Sequence, residues 1–122
     1  MIDAPSAVHQ FVAALAARDF DAMQSTLGPN VQFRALIPPG MRSASTPSEA
    51  RAAIEAWFVD SDEFEMVQRS VETIGDRLHG SYRIHGRENG ERYVCQQQIY
   101  ATLEESRIVK LDVMCSGFRP RM

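Results

Sequence analysis

The sequence of 122 residues predicts an α+β fold in which helices pack on one face of a mixed or antiparallel sheet. In residues 92–118, two runs rich in Val, Ile, Leu and Tyr flank a polar triplet at 104–106, which is typical of a β-hairpin. Helical spacing of apolar residues near the N-terminus and a capped helix start at Thr46 predict the packing helices. The coarse element order is therefore α-α-β-α-β-β-β-β.

Three helices follow from spacing and capping. Residues 6–18 place apolar side chains at positions i, i+3, i+4 and i+7, the pattern of an amphipathic helix. Asp19 can cap a second helix over residues 20–27, which Gly28-Pro29 ends. Thr46, followed by a proline and then by a glutamate three positions on, begins a third helix with a capping box.

Three strands precede the final hairpin. Residues 31–37 alternate apolar and polar side chains, which predicts a half-buried strand, and we expect a polar loop over residues 38–45. Residues 64–74 and 78–87 are two further strands, joined by a turn at 75–76.

The register of the final hairpin decides which side chains face the helices. Pairing Leu103 with Ile108 closes a four-residue loop and places Gln98 opposite Val113. The resulting inward face is apolar apart from two amides and a tyrosine hydroxyl, and comprises Val94, Gln96, Gln98, Tyr100, Val109, Leu111, Val113 and Cys115. Since Cys95 falls on the other face, we expect two free thiols, no disulfide and a reducing compartment.

The same register bears on the turn at Asn89-Gly90. With two loop residues, an arginine and two histidines would share the inward face with Gln96 and Gln98. We therefore expect three loop residues, with a left-handed Gly90 and with Tyr82 and Ile84 turned inward.

Length and composition restrict the class of protein. A chain of this length suits one domain, residues 1–122, with ordinary hydrophobic (44%) and charged (24%) content. The net charge of −3 and the scattered basic residues argue against a nucleic-acid partner. Because no apolar run is long enough to span a membrane and no signal peptide precedes the first helix, we expect a cytoplasmic protein.

Four segments carry a resemblance to a known superfamily: AVHQFVAALAARDFDAM, NVQFRA, SEARAAIEAWF and RIVKLDVMCSGF. In their order, the chain resembles the nuclear transport factor 2-like superfamily, which includes SnoaL-like polyketide cyclases and ketosteroid isomerases. The resemblance implies a cystatin-like cone, a curved sheet wrapped on the N-terminal helices around an internal pocket. It also implies a homodimer through the outer sheet face, where we expect an apolar patch of Tyr93, Ile99, Ala101 and Met114.

The resemblance and the register together predict a pocket for a small-molecule ligand. Its expected lining is Phe11, Phe33, Ala35, Trp57, Tyr82, Gln96, Gln98, Tyr100, Val113 and Cys115. The two glutamines either orient a guest or are structural amides that bond to each other, to Tyr100 or to water.

The catalytic groups of characterised relatives are missing at the matching positions. The base, tyrosine and donor aspartate of ketosteroid isomerases fall on Ala35, Phe11 and Gln98, and no inward carboxylate supports an epoxide-hydrolase arrangement. Asp112, His79 and His85 are expected at the surface, so we predict neither a metal nor a cofactor. Cys115 has no evident base or cation beside it, which favours a buried apolar thiol.

Three functions remain open from the sequence. The domain is a binding module for a small, mostly apolar molecule, a SnoaL-like isomerase, cyclase or hydrolase with a non-standard site, or a pocketless dimeric interaction domain. A buried titratable group with a shifted pKa would favour the enzyme, and an interior filled by side chains would favour the interaction domain.

Overall fold

The computed structural model describes residues 4–38 and 40–121, and it confirms the α+β class. The elements are α1 (Ala4–Ala16), α2 (Phe20–Ser25), β1 (Leu27–Ile37), β2 (Gly40–Ala44), α3 (Pro47–Phe58), β3 (Glu63–Ile74), β4 (Arg77–Glu88), β5 (Glu91–Glu104), β6 (Arg107–Cys115) and β7 (Arg119–Pro120). Strand β2 lies where a loop was expected, and β7 was not predicted. None of the described helices is long and apolar enough to cross a membrane.

All seven strands belong to one mixed sheet. The order is β2-β1-β6-β5-β4-β3, and β7 pairs with the beginning of β5. Strands β1 and β6 run parallel, whereas every other pair is antiparallel. The final hairpin β5–β6 therefore lies in the middle of the sheet.

The core lies between the helices and the inward face of the sheet. On β1 the alternation is as predicted, with Val31, Phe33, Ala35 and Ile37 all buried. Phe11 of α1 is buried in the same cluster. Helix α3 begins at the predicted cap, where Thr46 Oγ1 accepts a hydrogen bond from the Glu49 amide at 3.2 Å.

A β-bulge in the final hairpin makes the predicted face of β5 wrong. Leu103 does pair with Ile108, but the next pair is Thr102 with Lys110, which leaves Val109 as the extra residue. Beyond the bulge the register shifts by one, so Gln98 lies opposite Met114 rather than Val113. Because side chains alternate with period two, this shift turns every side chain of β5 before the bulge to the face opposite the predicted one.

The buried residues of β5 are accordingly the odd-numbered ones. Tyr93, Cys95, Gln97, Ile99 and Ala101 face the helices and are at most 6% exposed. Three of them, Tyr93, Ile99 and Ala101, had been expected on the outer face as a dimer patch, and that expectation is wrong.

The turn between β4 and β5 has two loop residues, not the predicted three. Glu88 pairs with Glu91, and Asn89 and Gly90 both have positive φ, of 53° and 79°. Tyr82 and Ile84 nevertheless face inward as expected. The predicted loop was one residue too long, and the predicted inward face of β5 is in fact its outer face. These two errors cancel, so the inward face of β4 was predicted correctly.

Candidate functional site

The structure divides the ten predicted pocket residues between the two faces of the sheet. Six are buried in the core cluster between helices and sheet: Phe11, Phe33, Ala35, Tyr82, Val113 and Cys115. Trp57 of α3 is partly buried and packs against that cluster, with its ring 6.4 Å from the ring of Phe33.

The remaining three predicted residues, Gln96, Gln98 and Tyr100, lie on the outer face and do not meet the other seven. Gln96 Oε1 accepts hydrogen bonds from the Arg83 guanidinium at 2.8 and 3.1 Å. Gln98 Oε1 lies 2.9 Å from a ring nitrogen of His79. Each amide oxygen therefore has a partner among outer-face side chains, as the shifted register requires.

Gln97 is the buried amide that the sequence reasoning missed. It is 0% exposed, and its Oε1 accepts a hydrogen bond of 2.6 Å from the hydroxyl of Tyr82. Burial raises the pKa of Tyr82 well above its usual value, so the hydroxyl keeps its proton and donates. With Oε1 fixed in this way, Nε2 is the free end of the amide, and it has no hydrogen-bond partner among the described residues.

Two thiols lie beside this amide. Cys95 and Cys115 were expected on opposite faces, but both are buried on the inward face, 1% and 6% exposed, and both are free. Their side chains are hydrogen-bonded to each other, and the Gly117 N–H donates to the Cys115 sulfur at 3.4 Å. Cys115 is buried in the apolar core cluster as expected, and only the expected placement of Cys95 on the opposite face is wrong.

The thiol pair is electrostatically asymmetric. The hydrogen bond from Cys95 lowers the pKa of Cys115 to about 6 against the opposing effect of burial, and the Gly117 N–H lowers it further. The same contact, together with burial, raises the pKa of Cys95.

Five surface grooves of the described part of the chain lie away from this centre. None of the five is lined by Gln97, Tyr82 or the two cysteines. The largest, of about 840 Å³, lies beside the Val109 bulge and is lined by charged and polar side chains such as Glu104, Arg107 and Lys110. The buried polar centre is thus enclosed by the core.

The outer face carries a second polar cluster, centred on Asp112. Its carboxylate accepts hydrogen bonds from Arg34 at 3.0 Å and Arg77 at 3.1 Å, which outweigh burial and hold the pKa of Asp112 below its usual value. Asp112 was expected on this face, and it is there. A groove of about 270 Å³ beside it is lined by Arg34, Leu36, Met41, Tyr100, Asp112, Val113 and Met114, which we call the outer-sheet groove.

The two histidines of β4 do not form a metal site with the other described residues. His79 and His85 are on the outer face of β4, and His79 lies 3.1 Å from a carboxylate oxygen of Glu72. Over the described ranges, no group of three or more His, Cys, Asp or Glu side chains could hold a metal ion.

Comparison with known families identifies the class of protein. A family model described as a SnoaL-like domain matches residues 8–111, and the chain belongs to this family. Its fold is similar to that of nuclear transport factor 2-like and ketosteroid isomerase-like proteins. No curated protein matches the sequence.

Several solved structures share this fold at low sequence identity. A proposed polyketide cyclase from Pseudomonas putida KT2440 is 18% identical, with 93% of this chain and 91% of that chain covered and a TM-score of 0.76. A nuclear transport factor 2-like protein from Burkholderia thailandensis E264 is 17% identical, with 95% and 92% covered and a TM-score of 0.78. A hypothetical protein with a ketosteroid isomerase-like fold from Catenulispora acidiphila DSM 44928, in complex with trimethylamine, is 10% identical, with 89% and 84% covered and a TM-score of 0.71.

Proposed function

We propose that this SnoaL-like domain, residues 1–122, binds a small, mostly apolar molecule that carries a hydrogen-bond-accepting oxygen, inside the curved sheet. The observation that carries the proposal is the Gln97 amide, whose Nε2 is buried and has no partner among the described residues. A buried donor left unpaired costs about 1–3 kcal/mol. A guest that offers an acceptor to this atom removes that cost, which favours its binding.

The surroundings of Gln97 define what kind of guest fits. Gln97 faces the same interior as the apolar and aromatic core cluster, which includes Phe11, Phe33, Ala35 and Val113, with Trp57 packed against it. Tyr82 already uses its hydroxyl on Gln97 Oε1, so the amide nitrogen is the polar group left to orient a guest. A small guest is supported by the related fold that was crystallised with trimethylamine.

Titration calorimetry with two probes of the same shape tests this proposal. Cyclohexanone offers an acceptor oxygen, whereas methylenecyclohexane does not. In the wild-type protein the ketone should bind about fivefold more tightly than the hydrocarbon, the ratio expected from one neutral hydrogen bond. The double variant Gln97→Leu/Tyr82→Phe, which leaves neither polar group stranded, should lose that preference.

Gln98→Leu is the matched control, because the same substitution one residue away changes only the outer face. It should keep the preference for the ketone. Equal affinity of the wild-type protein for both probes, or an unchanged preference in the double variant, would contradict the proposal.

A second candidate function is a dimeric interaction domain without a ligand. It is supported by the enclosed interior and by the apolar outer-sheet groove, where Leu36, Met41 and Met114 are 47%, 62% and 57% exposed. We propose a homodimer through this face for either function. We also propose a cytoplasmic location, which suits the two buried free thiols.

A further inference from the structure

We propose that the surface groove between α1 and β3 binds a small organic acid, a molecule with one carboxylate on a compact apolar body. Arg69 of β3 and His9 of α1 hold the carboxylate, and the body lies against the apolar side chains beside them. This groove is separate from the buried Gln97 amide. The proposal therefore stands apart from the function proposed above.

The groove is formed by two elements that face each other. Helix α1 provides His9, Val12 and Ala13, and β3 provides residues 69–71. His9 and Ala13 are one helical turn apart, so their side chains lie on the same side of α1. The volume of about 380 Å³ is roughly ten times the ~30 Å³ share of one water molecule. It therefore has room for an organic molecule as well as for a bare ion.

Arg69 is a charged residue among apolar ones on the inward face of β3. It pairs with the buried Tyr82 of β4, and directly opposite residues of an antiparallel pair share a face. Its inward neighbours on β3, Phe64, Met66 and Val71, are partly buried and pack against the core. Alternation along this strand therefore predicts an apolar residue at position 69, where the chain has a guanidinium.

This guanidinium has no carboxylate partner among the described residues. Among the described residues that line the groove, none is acidic. The glutamates of β3, Glu63, Glu65 and Glu72, pair with odd-numbered residues of β4 and therefore lie on the outer face of the sheet. The sheet thus separates Arg69 from the acidic side chains of its own strand, and an anion in the groove would balance its charge.

His9 provides a second donor from the opposite wall. An imidazole ring carries at least one N–H in either charge state, so it can donate to an oxygen whether or not it is protonated. Among the described residues, no hydrogen-bond or ion-pair partner occupies the His9 ring. The two side chains that can donate into this groove are therefore both available to a ligand.

The open edge of the sheet borders the same groove. Strand β3 is the last strand in the sheet order, so the backbone groups on its outer side have no strand partner. Residues 69, 70 and 71 all line the groove although consecutive side chains point to opposite faces. The groove must therefore reach the edge of β3, where backbone N–H groups can add to the side-chain donors.

The combination of groups points to a carboxylic acid. A guanidinium offers two parallel N–H groups to the two oxygens of a carboxylate, and such charge-assisted bonds are stronger than neutral ones. Val12, Ala13 and Val71 give the rest of the groove an apolar character, which suits a body without further polar groups. A bare anion would leave these apolar side chains uncovered.

Titration calorimetry with benzoate, benzamide and inorganic phosphate tests the class of ligand. Benzoate and benzamide have the same shape and differ in charge, so the wild-type protein should bind benzoate at least about tenfold more tightly. Inorganic phosphate should bind at least about tenfold more weakly than benzoate, because it covers no apolar surface. Equal affinity for benzoate and benzamide would overturn the anion site, and equal affinity for phosphate would overturn the organic acid.

Arg69→Gln tests whether the guanidinium holds the carboxylate. The variant should bind benzoate about tenfold more weakly and should lose the preference over benzamide. Arg42→Gln is the matched control, because Arg42 is an exposed arginine on β2 at the other edge of the sheet. It should leave the affinity unchanged. Equal losses in the two variants would show a general effect of net charge and would contradict the proposal.

Variants of His9 separate binding from protection of the sheet edge. An inward charge on an edge strand can by itself hinder pairing with another chain, a role that needs Arg69 but not His9. His9→Leu should weaken benzoate binding about fivefold, whereas His9→Gln keeps an N–H donor and should stay within about twofold of wild type. An affinity that is the same in all three proteins would overturn the two-walled site.

NMR locates the bound acid and keeps the two proposals distinguishable. The backbone amide resonances of Ala13, Ser70 and Val71 should move saturably with benzoate. The double variant Gln97→Leu/Tyr82→Phe should keep the wild-type affinity for benzoate, so either proposal can fail without the other. If that double variant loses benzoate binding while Arg69→Gln keeps it, the acid binds in the interior and the proposal is refuted.

Discussion

At the scale of single residues, the hydrogen bond between Tyr82 and Gln97 is the polar centre of the buried site, and each member depends on the other. Tyr82→Phe or Gln97→Leu alone leaves the partner buried and unpaired, so each should lower the free energy of unfolding by about 1–3 kcal/mol. The double variant removes both polar groups and should lie within about 1 kcal/mol of wild type. Urea unfolding of the four proteins measures this cycle.

Gln96→Leu is the control for this cycle, because Gln96 bonds only to the exposed Arg83 among its described side-chain partners. It should change the free energy of unfolding by about 0.5 kcal/mol or less. Additive losses in the double variant would show that the two buried groups do not depend on each other.

The sequence predicts a glutamine at the site but cannot tell which of three consecutive glutamines it is. Residues 96, 97 and 98 are chemically identical, and only the strand register decides which one is buried. With a side-chain period of two, a shift of one residue exchanges the entire set of buried groups. The prediction therefore located the region of the sheet and chose the wrong face of β5.

At the scale of elements, two glycines of β4 fit large side chains of β5. A Cβ on Gly86 would lie 2.3 Å from the ring of Tyr93, whose hydroxyl is 2.7 Å from the Ser61 hydroxyl. Gly86→Ala should therefore displace the ring and lower the free energy of unfolding by about 2–4 kcal/mol. Differential scanning calorimetry or urea unfolding would measure the loss.

Two other glycines provide graded controls for Gly86→Ala. A Cβ on Gly80 would meet the flexible Ile99 side chain at 2.9 Å, so Gly80→Ala should cost less. The nearest atom to a Cβ on Gly40 would be a guanidinium nitrogen of Arg42 at 3.9 Å, which is ordinary contact, so Gly40→Ala should be close to neutral. A loss at Gly86 no larger than that at Gly40 would contradict the packing of Tyr93 over β4.

These glycines also explain which parts of the fold were predictable. Helix α3 and strand β1 follow from local patterns, a capping box and an apolar alternation, and both were predicted correctly. No local sequence pattern predicts the Val109 bulge. The turn that precedes it is formed by Glu105 and Ser106, which have left-handed backbones but are not the usual Asn-Gly pair. Small Gly80 and Gly86 beside large Ile99 and Tyr93 are the signal that could have revealed the register.

At the scale of the whole molecule, the outer-sheet groove is the expected dimer interface. Met114 is 57% exposed at its centre, so Met114→Asp should place a charge in the interface and give a monomer. Sedimentation at micromolar concentration measures the mass. Val59→Asp, at the 49% exposed cap that ends α3, should leave a dimer, and a monomeric wild type would refute the interface.

Asp112 joins three strands of the outer face and should make stability depend on pH. Its pKa is below the usual value in the folded protein, so the ion pairs with Arg34 and Arg77 stabilise the fold fully above the unfolded pKa of about 3.9. That stability is lost as the pH falls through the lower, folded pKa. Asp112→Asn should cost about 1 kcal/mol at pH 7 and much less at pH 3, measured by urea unfolding.

The measurement that tests the central claim most directly is the NMR spectrum of the glutamine side-chain amides during titration with cyclohexanone. Substitution of each glutamine by leucine assigns the resonances of Gln96, Gln97 and Gln98. Because Nε2 of Gln97 is the free donor inside the sheet, its resonances should move saturably while those of the two outer amides stay in place. Movement of Gln96 or Gln98 with Gln97 unchanged would contradict the account.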